Sequence, residues 1–396
     1  MRDEVTVLAG TSRPSAEPWE PFDRRAVEFL AQLSEVILKD PTARRQEAVS
    51  AFGFWCRRAH LQALERRHAY PGARLGRGLI FHVAPSNVPV MFAYSYAVGL
   101  LAGNANIVRL SSRRREEDAA LLDLLRRVLE EHKEVEARTA FLSYERSDEI
   151  TAEFCAHCDG RVVWGGDATV AALRLLPMPP HAVELAFPDR WSLAVFSDTA
   201  FSVLTAEERA ALAHRFYNDT YQMDQNACSS PQLVLWLEDG GGAGGRRLWW
   251  EAVAEEAERR YPFGHYQAAR KLEKLCLDAM TMVDAPIAGV ERYAGNKLYV
   301  ARLEKLPADP TILRGGFGLF FQCGLSSLEA LPALLGPKAQ TLVCGGLEPE
   351  QVARTLTRRH CTGVDRVVAL GQALEMDTVW DGKDLIAALS RIIRWE

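Results

Sequence analysis

The sequence predicts an α/β protein with a mostly parallel sheet covered on both faces, arranged as two successive α/β units. Three observations lead there. Beyond Pro71–Gly72, short β-prone runs alternate with helical segments of about ten or more residues, the pattern of βαβ crossovers. A second run of the same kind starts near residue 199. At 396 residues, 48% of them hydrophobic, the chain is long enough for two or three domains with their own cores.

The elements follow in order. Residues 1–20, rich in Pro, Ser and Glu, read as an extended N-terminal arm. Helical periodicity covers 22–70, with Leu30, Leu33, Val36 and Ile37 in one segment and Ala51, Phe54, Trp55 and Leu61 in the next. "GLIFHVAP" is a strand, with a helix starting at Val88 or Pro89. "NANIVRL" is a strand leading to the charged amphipathic helix "REEDAALLDLLRRVLEEHKE". "TAFLSY" precedes a helix through Cys155, and "RVVWGG" is a strand and glycine turn before the helix "DATVAALRLL". "WSLAVFSD" is a further strand. The second unit holds the helix "LTAEERAALAHRFYNDTYQ", a turn at Cys228, the strand "QLVLWLE" and helices to about residue 285. Strands are expected at 297–303, 317–323, 340–344 and 364–369.

Composition excludes some classes of function. The formal net charge of −5, with both signs mixed, gives no hint of a nucleic-acid surface. No uncharged run reads as a membrane span: "FHVAPSNVPVMFAYSYAVGLLAGNANIV" comes closest, but Pro85, Pro89 and several asparagines break it. The N-terminus lacks an apolar signal region, so the eight scattered cysteines are expected reduced, in a cytoplasmic setting. Cys155 and Cys158 form a C-x-x-C, "CAHC", with no second pair nearby, so helix residues facing partly inward are expected rather than a zinc site. No metal set is convincing.

Cys228 stands apart. In "YNDTYQMDQNACSSPQLVLWLED" it sits among polar residues, and the apolar run begins only after Pro231. It is either a small core filler or a presented thiolate. Dinucleotide fingerprints of the G-x-G-x-x-G type are absent after any predicted strand. Other segments suit a crevice at the carboxyl ends of strands. "PSNVP" puts Asn87 between a strand and a helix, "NANIVRLSS" puts Arg109 at a strand end before Ser111 and Ser112, and "WGGDATV" puts Gly165 and Gly166 at a strand-to-helix turn. Asn87 would otherwise cap the following helix, and His82 reads as a packed strand histidine.

Together, "HVAPSNVPVMFAYSYAVGLLAGNANIVRLSS", "NACSSPQ" and the terminal "GVDRVV…WDG" resemble the long-chain acyl-CoA reductase family of bacterial bioluminescence (LuxC-like), within the aldehyde dehydrogenase superfamily, from about residue 75 to the end. The resemblance implies an aldehyde dehydrogenase-like fold: a Rossmann-like cofactor domain and a second α/β catalytic domain. The expected division is an arm at 1–20, N-terminal helices and the dinucleotide-binding domain at 21–198, the catalytic domain at 199–371, and a C-terminal segment at 372–396. By resemblance Cys228 matches the nucleophile and Asn87 the oxyanion-binding asparagine. Arg109 stands where the superfamily has a ribose-contacting lysine, and Trp164, Gly165 and Gly166 match the turn beside the dinucleotide. Pro85 and Ser86, in the Asn87 loop, join the cofactor set. Asp381, in "WDG", is expected to close a turn.

The implied reaction is reduction of a fatty acyl-CoA thioester to the aldehyde through an acyl-cysteine. A soft nucleophile suits a thioester, and the Asn87 amide with the Cys228 N–H would hold the oxyanion. Members that prefer NAD often carry a glutamate three residues after the ribose-contacting lysine. Here that position is Ser112, followed by Arg113, Arg114 and Arg115, which favours NADPH. "HAVELAFPDRWS" places Glu184 where related enzymes have a base glutamate in an "ELGG"-like segment, but without the glycines. His181 is the other candidate for moving a proton. The alternatives are a cysteine-dependent acyltransferase, a reductase of a carrier-protein thioester or acyl phosphate, and a non-catalytic partner in a complex with biosynthetic enzymes. The superfamily's habit of self-association makes a homo-oligomer compatible.

Overall fold

A computed structural model describes residues 4–85, 88–112, 115–240 and 243–395. The chain divides into two compact units, Met1–Pro188 with Met376–Glu396, and Asp189–Glu375.

The first unit contains strands β1 (Thr6–Gly10), β2 (Ala73–Gly76), β3 (Leu79–Val83), β4 (Ala105–Leu110), β5 (Thr139–Ser143), β6 (Gly160–Trp164) and β7 (Val183–Phe187). All but β2 join in one sheet, ordered β1-β5-β4-β3-β6-β7. It is parallel except for β1, the edge strand supplied by the N-terminal arm, which runs antiparallel to β5. Both faces are covered. Ile80, Val162 and Leu185 pack with Phe29, Leu33 and Phe52 of the N-terminal helices, whereas their neighbours Phe81, Val163 and Ala186 pack with Cys155, Cys158 and Val170. Burial on two sides is why "LIFHV" and "RVVW" read as nearly continuous apolar runs. Phe54 differs from expectation: the helix Glu47–Trp55 buries Val49, Phe52 and Trp55, and leaves Phe54 half exposed beneath the Arg57 guanidinium.

The chain steps from β3 to β4 to β5 in one direction, then crosses back to β6 and β7, so the connections reverse between β3 and β6. A crevice outside the carboxyl ends of those two strands follows from that order. A buried hydrogen-bond chain stiffens it. Trp164 Nε1 donates to Ser95 Oγ at 2.9 Å, Ser95 Oγ donates to His82 Nδ1 at 2.7 Å, and His82 Nε2 donates to Asn106 Oδ1 at 2.9 Å. His82 is fully buried, as expected of a packed strand histidine, and burial pushes its pKa down to about 4 despite the Asn106 bond.

The second unit contains β8 (Trp191–Ser197), β9 (Pro231–Leu237), β10 (Ile287–Tyr293), β11 (Leu298–Leu303), β12 (Leu319–Leu325), β13 (Ala339–Gly345) and β14 (Arg366–Ala369). Their order is β10-β11-β12-β9-β8-β13-β14, parallel except for the β10–β11 hairpin. The sequence reading divided the domains after residue 198. The units part ten residues earlier because β8 is buried along its whole length between β9 and β13, so "WSLAVFSD" belongs to the second sheet.

The C-terminal residues return to the first unit. The strand Ser390–Ile393 pairs antiparallel with β2, and Trp380 is buried in that unit's core. Asp381 and Gly382, with φ of 47° and 70°, turn the short hairpin between Val379–Trp380 and Lys383–Asp384, as an Asp-Gly pair does. Among the described residues no helix is long and apolar enough to cross a membrane.

His82 makes the fold sensitive to acid. Its folded pKa of about 4 lies below the unfolded value of 6.5, so the unfolded chain takes up this proton first. The stability it contributes is full above pH 6.5 and is lost as pH falls through about 4, up to about 3 kcal/mol. Urea midpoints measured from pH 7.5 to 4 should fall across that window, and His82→Gln should flatten the fall while lowering stability at pH 7.5 by about 1–3 kcal/mol.

Candidate active site

Cys228 lies in the loop between the helix Ala206–Thr220 and β9, at the amino end of the second sheet. It is exposed, while its neighbours Ala227, Ser229 and Ser230 are buried. Two residues upstream in left-handed conformation, Asp224 (φ 52°) and Gln225 (φ 58°), turn the chain out of the helix. Neither is glycine, so the conformation needs support from its surroundings. Gln225 provides it with a fully engaged, buried amide. Its Oε1 accepts from Gly318 N at 2.9 Å, its Nε2 donates to Leu319 O at 3.1 Å, and its own carbonyl accepts from Gln232 Nε2 at 2.7 Å. The Asp224 carbonyl accepts from Phe317 N, and its carboxylate accepts from the Tyr261 hydroxyl.

Two more strands reach the cysteine. Ser192, at the start of β8, donates from Oγ to Cys228 O at 2.6 Å and accepts from Thr341 N at 3.1 Å. Gln340, at the start of β13, donates from Nε2 to Cys228 Sγ at 3.4 Å. Gln225, Gln232, Ser192 and Gln340 were not singled out in the sequence. Their one visible signal is that polar residues open or precede otherwise apolar strands.

In the first unit, the candidates gather at the carboxyl ends of β3, β4 and β6. Pro85 follows β3 and is half-buried, while Ser86, Asn87 and Arg113 lie outside the described residues. The helix that follows Asn87 in sequence begins only at Met91, and Val90, not Asn87, takes the cap position, in left-handed conformation, φ 54°. A β-branched residue there is strained. The Asp118 carboxylate holds it by accepting from Val90 N at 2.7 Å, a support the sequence did not reveal. Arg109, near the end of β4, lays its guanidinium 4.7 Å from the Tyr144 ring centre, and its buried Nε has no partner among the described residues. Ser111 follows half-buried and Ser112 exposed. The Trp164 side chain faces the core, stacked on Phe187 at 3.9 Å, so only the backbone of its turn and Gly165–Gly166 reach the crevice. A Cβ added at Gly166 would meet open space.

His181 and Glu184 are not part of that gathering. Both sit at the opposite, amino end of the first sheet. His181 Nε2 is 3.0 Å from Asp159 Oδ1, just ahead of β6. Glu184 binds the buried Arg161 and, at 2.8 Å, Arg174. Burial raises the Glu184 carboxyl, but the Arg174 and Arg161 hydrogen bonds outweigh it and hold it below the usual carboxylate range. A carboxylate so paired is a poor proton acceptor. This corrects the expectation that it is a general base and gives it a structural partner instead. Cys155 and Cys158 are both buried, the Cys158 thiol turned to Cys155 O. Glu184→Gln should leave turnover within about twofold yet cost about 3 kcal/mol or more of stability by stranding Arg161. Steady-state rates and chemical denaturation of the one variant test both halves.

Comparison with known proteins agrees with this architecture. No curated protein matches the chain. Among solved structures it is similar to lactaldehyde dehydrogenase from Escherichia coli, at TM-score 0.64 and 13% identity over 94% of this chain and 86% of that one. It is likewise similar to an NAD-dependent benzaldehyde dehydrogenase from Corynebacterium glutamicum, at TM-score 0.62 and 14% identity over 98% and 94%. Both likenesses establish the aldehyde dehydrogenase fold that the sequence resemblance implied. Residues 22–259 match the family described as Acyl-CoA reductase (LuxC), and that span includes Cys228 as well as the residues placed above at the first unit's crevice. The chain therefore belongs to the acyl-CoA reductase (LuxC) family.

Proposed function

We propose that this enzyme reduces a fatty acyl-CoA thioester to the aldehyde, with NADPH as reductant and an acyl group carried on Cys228. The observation that carries the reading is an exposed cysteine in a turn braced by buried amides, with hydrogen-bond donors already directed at its sulfur and its carbonyl. The Cys228 thiolate attacks the thioester carbon, the bond from that carbon to the coenzyme A sulfur breaks, and coenzyme A leaves with that electron pair. The Asn87 amide and the Cys228 N–H would hold the oxygen as it gains charge.

The first unit suits a dinucleotide. Its connections reverse between β3 and β6, Gly166 leaves space for close approach, and Arg109 holds a buried Nε without a partner among the described residues. Pro85, Ser86, Arg109, Ser111, Ser112, Arg113, Gly165 and Gly166 would line it, with the cations and hydroxyls after β4 favouring a 2′-phosphate. Bound there, the reduced nicotinamide supplies a hydride. Once the acyl carbon has accepted it, the carbon–Sγ bond breaks, the electron pair returns to Cys228 and the aldehyde departs. The net reaction consumes one hydride and one proton and releases coenzyme A.

The test follows NADPH oxidation with coenzyme A thioesters from acetyl to palmitoyl length. Aldehyde should form in step with NADPH loss, with NADH the poorer reductant, and Cys228→Ala should lower the rate by about 10³-fold or more. Acylation of Cys228 without NADPH consumption would instead support an acyltransferase. Activity confined to carrier-protein thioesters or acyl phosphates would replace the acyl donor.

A further inference from the structure

Gln340 is a buried glutamine near the start of β13. It is fully buried, on the strand neighbouring β8, and 112 residues distant in sequence from the cysteine it meets. Its amide orientation is defined on both sides. Oε1 accepts from Thr341 Oγ1 at 3.4 Å, and Nε2 donates to Cys228 Sγ at 3.4 Å. The distance between them is fixed as well, because Ser192 Oγ bonds both Cys228 O and Thr341 N and so ties the cysteine loop to the strand carrying Gln340. A carboxamide neither gains nor loses a proton at any working pH. It can therefore do one thing for the sulfur, which is to donate to it, and it does so most strongly when Sγ is an anion.

We propose that Gln340 is a catalytic residue that holds the Cys228 sulfur as a thiolate, and that its larger effect falls on release of the aldehyde. This deepens the reading of Cys228 as nucleophile and rests on it. A donor on the thiolate cuts two ways. It increases the fraction of Cys228 ionised at neutral pH but lowers the nucleophilicity of each thiolate, so the two effects partly cancel in the attack on the thioester. In the second half-reaction there is no such cancellation. The carbon–Sγ bond breaks, negative charge returns to Sγ, and the Gln340 N–H stabilises the sulfur as the leaving group. Loss of this donor should lower kcat more than it raises KM.

The experiment measures the ionisation of Cys228 directly, by iodoacetamide alkylation across pH 5–10 with peptide mass spectrometry. Cys276, the other exposed cysteine, is the internal reference. Two variants are compared with the parent: Gln340→Met, which keeps volume and removes the donor, and Gln340→Glu, which keeps shape and turns a carboxylate toward the sulfur. Either one that retains a cooperative thermal transition decides the matter. The expected result is an upward displacement of the Cys228 alkylation curve by about one pH unit in Gln340→Met, a tenfold loss of thiolate at neutral pH, and a larger displacement in Gln340→Glu, with Cys276 unmoved. Superimposable Cys228 curves for the parent and a folded variant would overturn the proposal. Alkylation needs neither an acyl donor nor NADPH, so this outcome is independent of whether free acyl-CoA is the substrate.

Discussion

The presentation of Cys228 depends on one buried side chain, the amide of Gln225. Left-handed conformation at two consecutive residues that are not glycine is costly, and Asp224 and Gln225 both adopt it. Gln225 offsets that cost by satisfying the Gly318 N–H and the Leu319 carbonyl, while Gln232 satisfies its own carbonyl. The neighbouring loop has to come very close for this to work. A Cβ at Gly315 would fall 2.2 Å from Leu319 O, so glycine there is a condition of the clamp. With the turn braced, Ala227, Ser229 and Ser230 can be buried while the thiol between them stays outside.

The two sheets use opposite ends. The first follows the general rule for open α/β sheets, with its candidate residues at the carboxyl ends around the reversal of strand order. In the second, a crevice of about 740 Å3 lies at the carboxyl ends of β9, β11 and β12, lined by Glu238, Leu303 and Gly324, yet Cys228 stands at the amino end. That placement has an electrostatic consequence. A cysteine that follows a helix and precedes a strand gets no help from a helix N-terminus in its own loop, and the C-terminus upstream carries partial negative charge. Favourable dipoles must come from side chains on neighbouring strands, which is where Ser192 and Gln340 lie.

Much of this architecture was legible in the sequence, because strands buried on both faces announce themselves as apolar runs between helices. β3 to β6, β8, β9 and the later parallel strands fall where such runs occur. The elements that escaped have physical reasons for doing so. β10 is an exposed edge strand with a mixed pattern, and β7 carries at its second position Glu184, whose charge is matched by Arg161 from the adjacent strand. Cys228, the proposed nucleophile, was visible as a cysteine in polar company. Its supports were not, because a glutamine that braces a turn through Leu319, 94 residues away, looks the same in one dimension as a glutamine on the surface. Glu184 shows the converse: its neighbours in sequence suggested chemistry, and its neighbours in space are Arg161 and Arg174.

The fate of Glu184 bears on which half-reaction the enzyme favours. Acid-forming chemistry needs a base that can take a proton from water beside the acyl carbon. Here the segment carrying Glu184 is strand. Leu185, Ala186 and Phe187 stand where an "ELGG"-like segment would continue, all three are buried, and Phe187 is stacked on Trp164. Their side chains commit the segment to the sheet, and two arginines keep Glu184 ionised. Freeing this carboxylate would mean unzipping β7 and leaving Arg161 without its partner in a buried position, a cost of about 3–5 kcal/mol. In the proposed reaction an acyl group on Cys228 would thereby be spared one route to hydrolysis while it awaits the hydride. The replacement of glycines by core residues beside β6 thus favours a reductase for the same reason that it completes the sheet.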